Sequence, residues 1–562
     1  MKQLITIFLA LWLSASVEAQ STSALYRVKF IDKGNSAYSV SRPSEFLSTR
    51  SIERRLLQQI PLNESDLPIN PDFIIALKNS GAEVIYTSKW LNLAIVKTDN
   101  KSVIEEIMQK PFIKEIKPVD YLFQKQGHPR RKPFFDPEGV GKVSSRLKTS
   151  GNKSSNAFDY GVSLNQAEMI RIDQLHNLGF TGNGMTIAVI DGGFNSVNIM
   201  AAFDSIRLNG QILGTEDFVQ PGNNVYGTNM STHGTMVLST MGGNLPGQIV
   251  GTAPKASYWL LRSEDVLAEY LMEEYYWVNA AEYADSVGAD IINSSLGYTV
   301  FDNATENHSY SDMDGNTTVV TIGADMAASK GILVVNSAGN SGNDSWHYIG
   351  APADGDSVLT IGAVDPTGSY ASFSSVGPTS DGRIKPDVTA QGSNTIVAIV
   401  PSGIASGSGT SFSSPIISGA AACLWQANPT YSNMELINAI RMSGSQSNSP
   451  DNLKGWGIPN FMLANNLLTS YLLQKTETFT GLRIYPIPFS NKINIEIEST
   501  SWTTVDIKIA NSIGYSVAEM KGVELNKGVN LIVFNKLERL PLGIYMVHIS
   551  DGNFIAAEKI IK

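Results

Sequence analysis

Between residues 159 and 468 the hydrophobic positions fall in short, nearly unbroken runs: "MTIAVI", "SYWLL", "ADIINSS", "GILVVNSA" and "SVLTIGAV". Longer stretches with helical spacing, such as "LAEYLMEEYYWVNAAEYADSVG", lie between several of them. A strand that is apolar throughout must be covered on both faces. The pattern therefore predicts an α/β fold, a parallel sheet between layers of helices, with ligand-binding loops beyond the carboxyl ends of the strands. Residues 479–562 follow a different rule: "KINIEIE", "TVDIKIANS", "NLIVFN" and "GIYMVHIS" alternate apolar and polar positions, which predicts a small antiparallel β-sandwich. The segment 469–478, in "LLTSYLLQKTETFTG", carries polar, turn-prone residues and reads as a linker.

Residues 20–123 form another unit. "LYRVKF", "EVIYTS", "LNLAIVKT" and "PFIKEIKP" read as strands, "NPDFIIALKNSG" and "NKSVIEEIMQK" as helices. The order β-α-β-β-α-β is that of a ferredoxin-like split βαβ unit. A charged insert with room for a helix, "FLSTRSIERRLLQQI", interrupts it after the first strand. Residues 124–158 are basic, rich in Pro, Gly and Ser, and without period; they read as an exposed linker.

Charge and composition narrow the function. The 562-residue chain suggests three or four domains, and its net charge of −10 argues against nucleic acid as main partner. Lys2, the apolar run Leu4–Leu13 and "VEA" make residues 1–19 a secretory signal peptide; a membrane anchor is the alternative. The one cysteine, Cys423, lies in the apolar run "GAAACLW" and reads as a buried filler. No Cys/His cluster has zinc spacing, and no metal site is assigned.

Four loops carry candidate chemistry. Asp191 follows the apolar run "MTIAVI" and opens "DGGF", His233 opens a small-residue helix in "STHGTMV", Asn340 sits in the Gly-flanked turn "SAGNSG", and Ser411 stands in "GSGTSFSSP" before a buried helix. Each alone has a plain structural use, as a turn, a cap or a core polar group. Together they solve one problem. A serine hydroxyl needs a base, the base needs a carboxylate to orient it, and the tetrahedral intermediate needs fixed donors, here an Asn amide and a backbone N–H at a helix start.

The order Asp…His…Asn…Ser, and above all "GTSFSSP", resembles the subtilisin-like serine proteases over about 159–468. The resemblance implies a three-layer fold, an Asp191–His233–Ser411 triad, Asn340 as oxyanion donor, and "SSLG", with Ser295, Leu296 and Gly297, as a strand that pairs with peptide substrate. Tyr298 stands where the family often has a small residue. The resemblance also implies that 20–123 is a self-cleaved propeptide that inhibits the enzyme, a permanent N-terminal domain being the alternative. It implies no required cofactor; structural calcium is common in the family, and the acidic loop "DMDGN" (312–316) lacks the twelve-residue calcium pattern. "RIYPIPF", "LPLGIYMVHI" and the terminal "EKIIK" resemble the sorting domains of type IX secretion in Bacteroidetes-type bacteria, with Ile487 in place of the usual Asn. A sugar- or surface-binding sandwich is the alternative there. The expectation is a monomeric serine endopeptidase, exported by a Gram-negative bacterium to the medium or the cell surface, with protein or peptide substrates, its own propeptide and the secretion machinery as partners. A subtilase-like peptide-binding or adhesion protein without catalysis competes with it, as does an esterase, although the G-x-S-x-G elbow is absent around Ser411.

Overall fold

The computed structural model describes residues 24–119, 141–142, 156–477, 479–511, 516–550 and 555–562. The expected signal peptide and nearly all of the 124–158 linker lie outside the described residues. The chain divides into two compact units.

The first comprises, within the described residues, 24–37, 69–87 and 92–119. Its strands Ala24–Phe30, Glu83–Ser88, Leu93–Thr98 and Ile113–Val119 form one sheet in the spatial order second, third, first, fourth. The first strand is antiparallel to the third and fourth, with Leu25 opposite both Lys97 and Val119. With helices Pro71–Asn79 and Lys101–Met108 between strands, this is the ferredoxin-like order. Val28, Phe30, Leu77, Ala94, Val96 and Ile107 supply its core.

The second unit takes in the insert, residues 38–68, together with 88–91 and everything from 129 onward. The insert is therefore packed with the large α/β fold. Its helix α1 (Thr49–Leu57) is N-capped by Ser48, whose side chain accepts from Ser51 N.

The central sheet has seven parallel strands: β1 (Thr186–Asp191), β2 (Ile212–Asp217), β3 (Ser257–Arg262), β4 (Ile291–Ser294), β5 (Leu333–Ser337), β6 (Leu359–Val364) and β7 (Val388–Gln391). They lie in the order β7-β6-β5-β4-β1-β3-β2. Alternation along each strand feeds two cores. Ile187 and Val189 of β1 point to one, Ala188 and Ile190 to the other. The first core is closed by helix α2 (His233–Gly242) and helix α5 (Thr410–Ala427), through Val237, Met241, Ile416 and Ala420. The second is closed by α3 (Met272–Val287) and α4 (Val319–Ser329), through Trp277, Ala281, Ala324 and Ala328. This is the expected three-layer arrangement.

A final helix, Phe461–Glu477, covers most of the segment expected as a linker. "LLTSYLLQKTE" has neither Gly nor Pro, and its Leu, Gln, Lys and Glu residues are good helix formers, so the preceding helix simply continues. Beyond it, two antiparallel sheets of three and four strands share one core of Ile493, Ile495, Ile507, Ile509, Val547 and Ile549. That is the β-sandwich its alternation predicts.

Cys423 is fully buried in α5, its Sγ 3.2 Å from the carbonyl oxygen of Thr252. Burial pushes its thiol pKa far above the ordinary range and drives that of the neighbouring His176 down to about 4. The pair is therefore neutral and unreactive. A thiol-specific reagent should leave Cys423 unmodified in the native protein and react with one equivalent after unfolding; stoichiometric reaction with the native form would contradict this reading.

Candidate active site

The sheet order brings three of the predicted residues to one edge. Asp191 is the last residue of β1, Ser295 follows β4, and Asn340 follows β5 by three positions; these strands are neighbours. Asp191 is fully buried, and Gly192 N donates to its Oδ1 at 2.7 Å. His233 opens α2, its own N–H donating to Ser231 Oγ at 3.0 Å. Its Nδ1 lies 3.0 Å from both Asp191 oxygens. An ionised carboxylate only accepts, so Nδ1 carries the proton and Nε2 is left as the basic nitrogen. The approach needs Gly234, where a Cβ would lie 2.4 Å from Gly193 O and 3.0 Å from Asp191 Cβ.

Ser411 is the second residue of α5, after Gly409 with φ +155° and Thr410. Its N–H is one of the helix's first four, which have no intrahelical acceptor. The ring of Phe412, the next residue, has its centroid 6.2 Å from that of His233, so the two helix starts face each other. Pro415 is the sixth residue of the helix. There it removes the N–H that would have bonded the Ser411 carbonyl. Ser295 Oγ–H donates to that carbonyl instead, at 3.0 Å. In return, Ser411 Oγ lies 3.5 Å from the Ser295 carbonyl oxygen. Gly419 lets α5 pack closely: a Cβ there would lie 2.1 Å from Thr252 Oγ1.

Asn340 is fixed from one side. Its Oδ1 accepts from both Thr410 N and Thr410 Oγ1 at 2.9 Å. Thr410 Oγ1 in turn accepts from Gly339 N at 3.2 Å. With the carbonyl half of the amide held, the NH₂ half points away from Thr410 as a preorganised donor pair. Thr410 is thus a positioning residue that sequence reasoning did not single out, although it stands inside the quoted motif.

β4 ends at Ser294, so residues 295–297, expected as a strand, lie just past it; Leu296 is buried and its carbonyl accepts from Asn336 Nδ2 at 3.0 Å. Ser295 is also buried, whereas Gly297 is half-buried. Asn336, a polar residue inside an apolar strand, was the available signal for this contact. Tyr298 pairs by backbone with Ala351, and its buried hydroxyl donates to Glu264. In the loop 312–316, Asp314 caps its own turn, accepting from Asn316 N at 2.8 Å and Thr317 N at 2.9 Å.

A parallel three-layer α/β fold, with a buried carboxylate–imidazole pair beside a serine at a helix start, defines the architecture of a serine hydrolase. The subtilase family model of peptidase S8 matches residues 182–457. The Bacteroidota peptidase S8 propeptide domain matches 25–132, and the secretion system C-terminal sorting domain matches 483–562. The chain is 33% identical over 290 residues to subtilisin NAT of Bacillus subtilis subsp. natto, covering 51% of this chain and 66% of that protein. It is 31% identical to the subtilisin of Bacillus pumilus over 290 residues, 51% of this chain and 91% of that protein. Among solved structures it is similar to MycP1 with the N-terminal propeptide removed, at 25% identity and TM-score 0.42, over 54% of this chain and 96% of that one. The chain belongs to the subtilase family of serine peptidases. Its flanking domains mark it as a secreted or cell-surface protein of the Bacteroidota.

Proposed function

We propose that the protein is a serine endopeptidase made as a self-processing zymogen, with Asp191, His233 and Ser411 as its triad and Asn340 as oxyanion donor. The observation that carries this reading is the Asp191–His233 pair at 3.0 Å beside the helix start that holds Ser411. His233 Nε2 takes the Ser411 proton as Oγ attacks the peptide carbonyl, and returns it to the leaving amine. Asp191 keeps the proton on Nδ1 and stabilises the imidazolium that forms. The oxyanion is met by Asn340 Nδ2–H and the Ser411 N–H, reinforced by the positive end of α5. Ser295 and Gly297 supply backbone groups for an extended peptide. Water, giving its proton to His233 Nε2, then attacks the Ser411 ester and releases the acid product, the proton returning to Ser411 Oγ; no cofactor enters a step.

Ser411→Ala or His233→Ala should each lower kcat by about 10⁶-fold, the size found in subtilisin, and the double variant should be little worse. Peptidase activity above a few per cent in Ser411→Ala would sink the triad assignment. Asn340→Ala should cost about 10²–10³ in kcat with little change in KM, again the subtilisin range; a pure KM effect would make Asn340 a substrate ligand. Purified without other proteases, Ser411→Ala should keep residues 20–123 covalently attached while the unmutated chain sheds them. Normal removal in the variant would contradict self-processing.

A further inference from the structure

The insert 38–68 meets the α/β fold through charge. Arg50, Arg54 and Gln58 recur every fourth residue and so share one face of α1 and its extension. All three reach the carboxyl-terminal ends of α3 and α4. Arg50 Nε donates to Gly288 O at 2.9 Å, Arg54 Nη1 to Ala289 O, Arg54 Nε to Lys330 O at 3.2 Å, and Gln58 Nε2 to Gly331 O at 2.8 Å. Carbonyls at such ends lack intrahelical partners and carry the negative end of the helix dipole, so cationic donors suit them.

Carboxylates complete the recess. Asp285 is fully buried and touches three cations: Arg54, Arg55 Nη1 at 2.9 Å and Lys89 at 3.2 Å. Arg55 also reaches Asp66 at 2.8 Å, and Arg50 pairs with Asp290. Burial opposes the Asp285 charge, but Lys89, Arg54 and Arg55 outweigh it and hold its carboxyl well below the usual range. The fit is also steric. Gly288 and Gly331, at φ +85° and +86°, end the two helices directly beneath the insert; a Cβ would lie 2.7 Å from Arg50 Cβ and 2.8 Å from Gln58 Nε2 respectively.

We propose that residues 48–68 are a latch, anchored by Arg50, Arg54 and Arg55 on Asp285, Asp290 and the carbonyls at the ends of α3 and α4, whose docking keeps the propeptide bound after its peptide link to the peptidase is cut. The inference rests on the reading of residues 20–123 as a removable propeptide. The latch acts away from Ser411, and opening it leaves Asp285 and Asp290 without their arginines. Separation of a buried, hydrogen-bonded charge pair is therefore the step that releases the fragment.

The test uses the full chain as Ser411→Ala, with a recognition site for an added sequence-specific protease placed between 124 and 140. The cut is then independent of self-processing, which the Ser411 chain reports separately. Dissociation of the N-terminal fragment is followed by size-exclusion chromatography over time. The fragment should stay with the rest of the chain. Arg54→Gln with Arg55→Gln should release it about 30- to 5,000-fold faster, the range for breaking buried charge pairs. If that double variant does not fold, Arg50→Glu decides: the Arg50 side chain is 41% exposed, so the reversal is tolerated, and release should be about tenfold faster. Equal release rates for all three proteins, or immediate release from the chain with its arginines intact, would overturn the latch.

Discussion

A parallel sheet that is apolar on both faces has nowhere but its ends to place polar chemistry. Ile187 and Val189 belong to one core and Ala188 and Ile190 to the other, so β1 can present a carboxylate only where it stops, at Asp191. The same constraint puts Ser295 and Asn340 just past β4 and β5. Strand order does the rest, because β5, β4 and β1 are adjacent. The two helices that bring His233 and Ser411 start at this edge and run down into the first core, so their starts are held by burial of their own small-residue faces.

Local strain and local repair then place the serine. Gly409 takes a backbone conformation that other residues rarely adopt, and Pro415 deprives the Ser411 carbonyl of its helical donor. Ser295 supplies the missing bond, so the strand read as the peptide-binding segment and the serine helix are tied directly. Thr410 does the same for Asn340. Under the proposed function, a peptide aligned on 295–297 is referenced to the same atoms that position Ser411, so that binding fixes the attack geometry.

Much of this was legible in the chain. The switch from unbroken apolar runs to strict alternation separates the α/β unit from the β-sandwich, the positions of Asp191 and Asn340 follow from where the runs end, and His233 and Ser411 stand at the starts of small-residue helices. What was hidden is long-range. The Asn340–Thr410 and Ser295–Ser411 bonds join residues 70 and 116 positions apart, and no local pattern announces them. The insert is similar. "STRSIERRLLQQI" reads as charged and surface-like, yet Arg54 and Arg55 are buried, because their partner Asp285 lies about 230 residues on. The helix over 461–477 was misjudged for a simpler reason: polar residues suggested turns, while the absence of Gly and Pro let the helix run on.

The central claim is that Ser411, activated through His233 and Asp191, is the nucleophile. Reaction of the matured protein with a fluorophosphonate, followed by mass-spectrometric mapping of the label, tests it most directly. A single phosphonyl adduct on Ser411, absent when Ser411 is alanine and formed far more slowly when His233 is alanine, is the predicted result. An adduct on another residue, or no adduct on folded and processed protein, would contradict it.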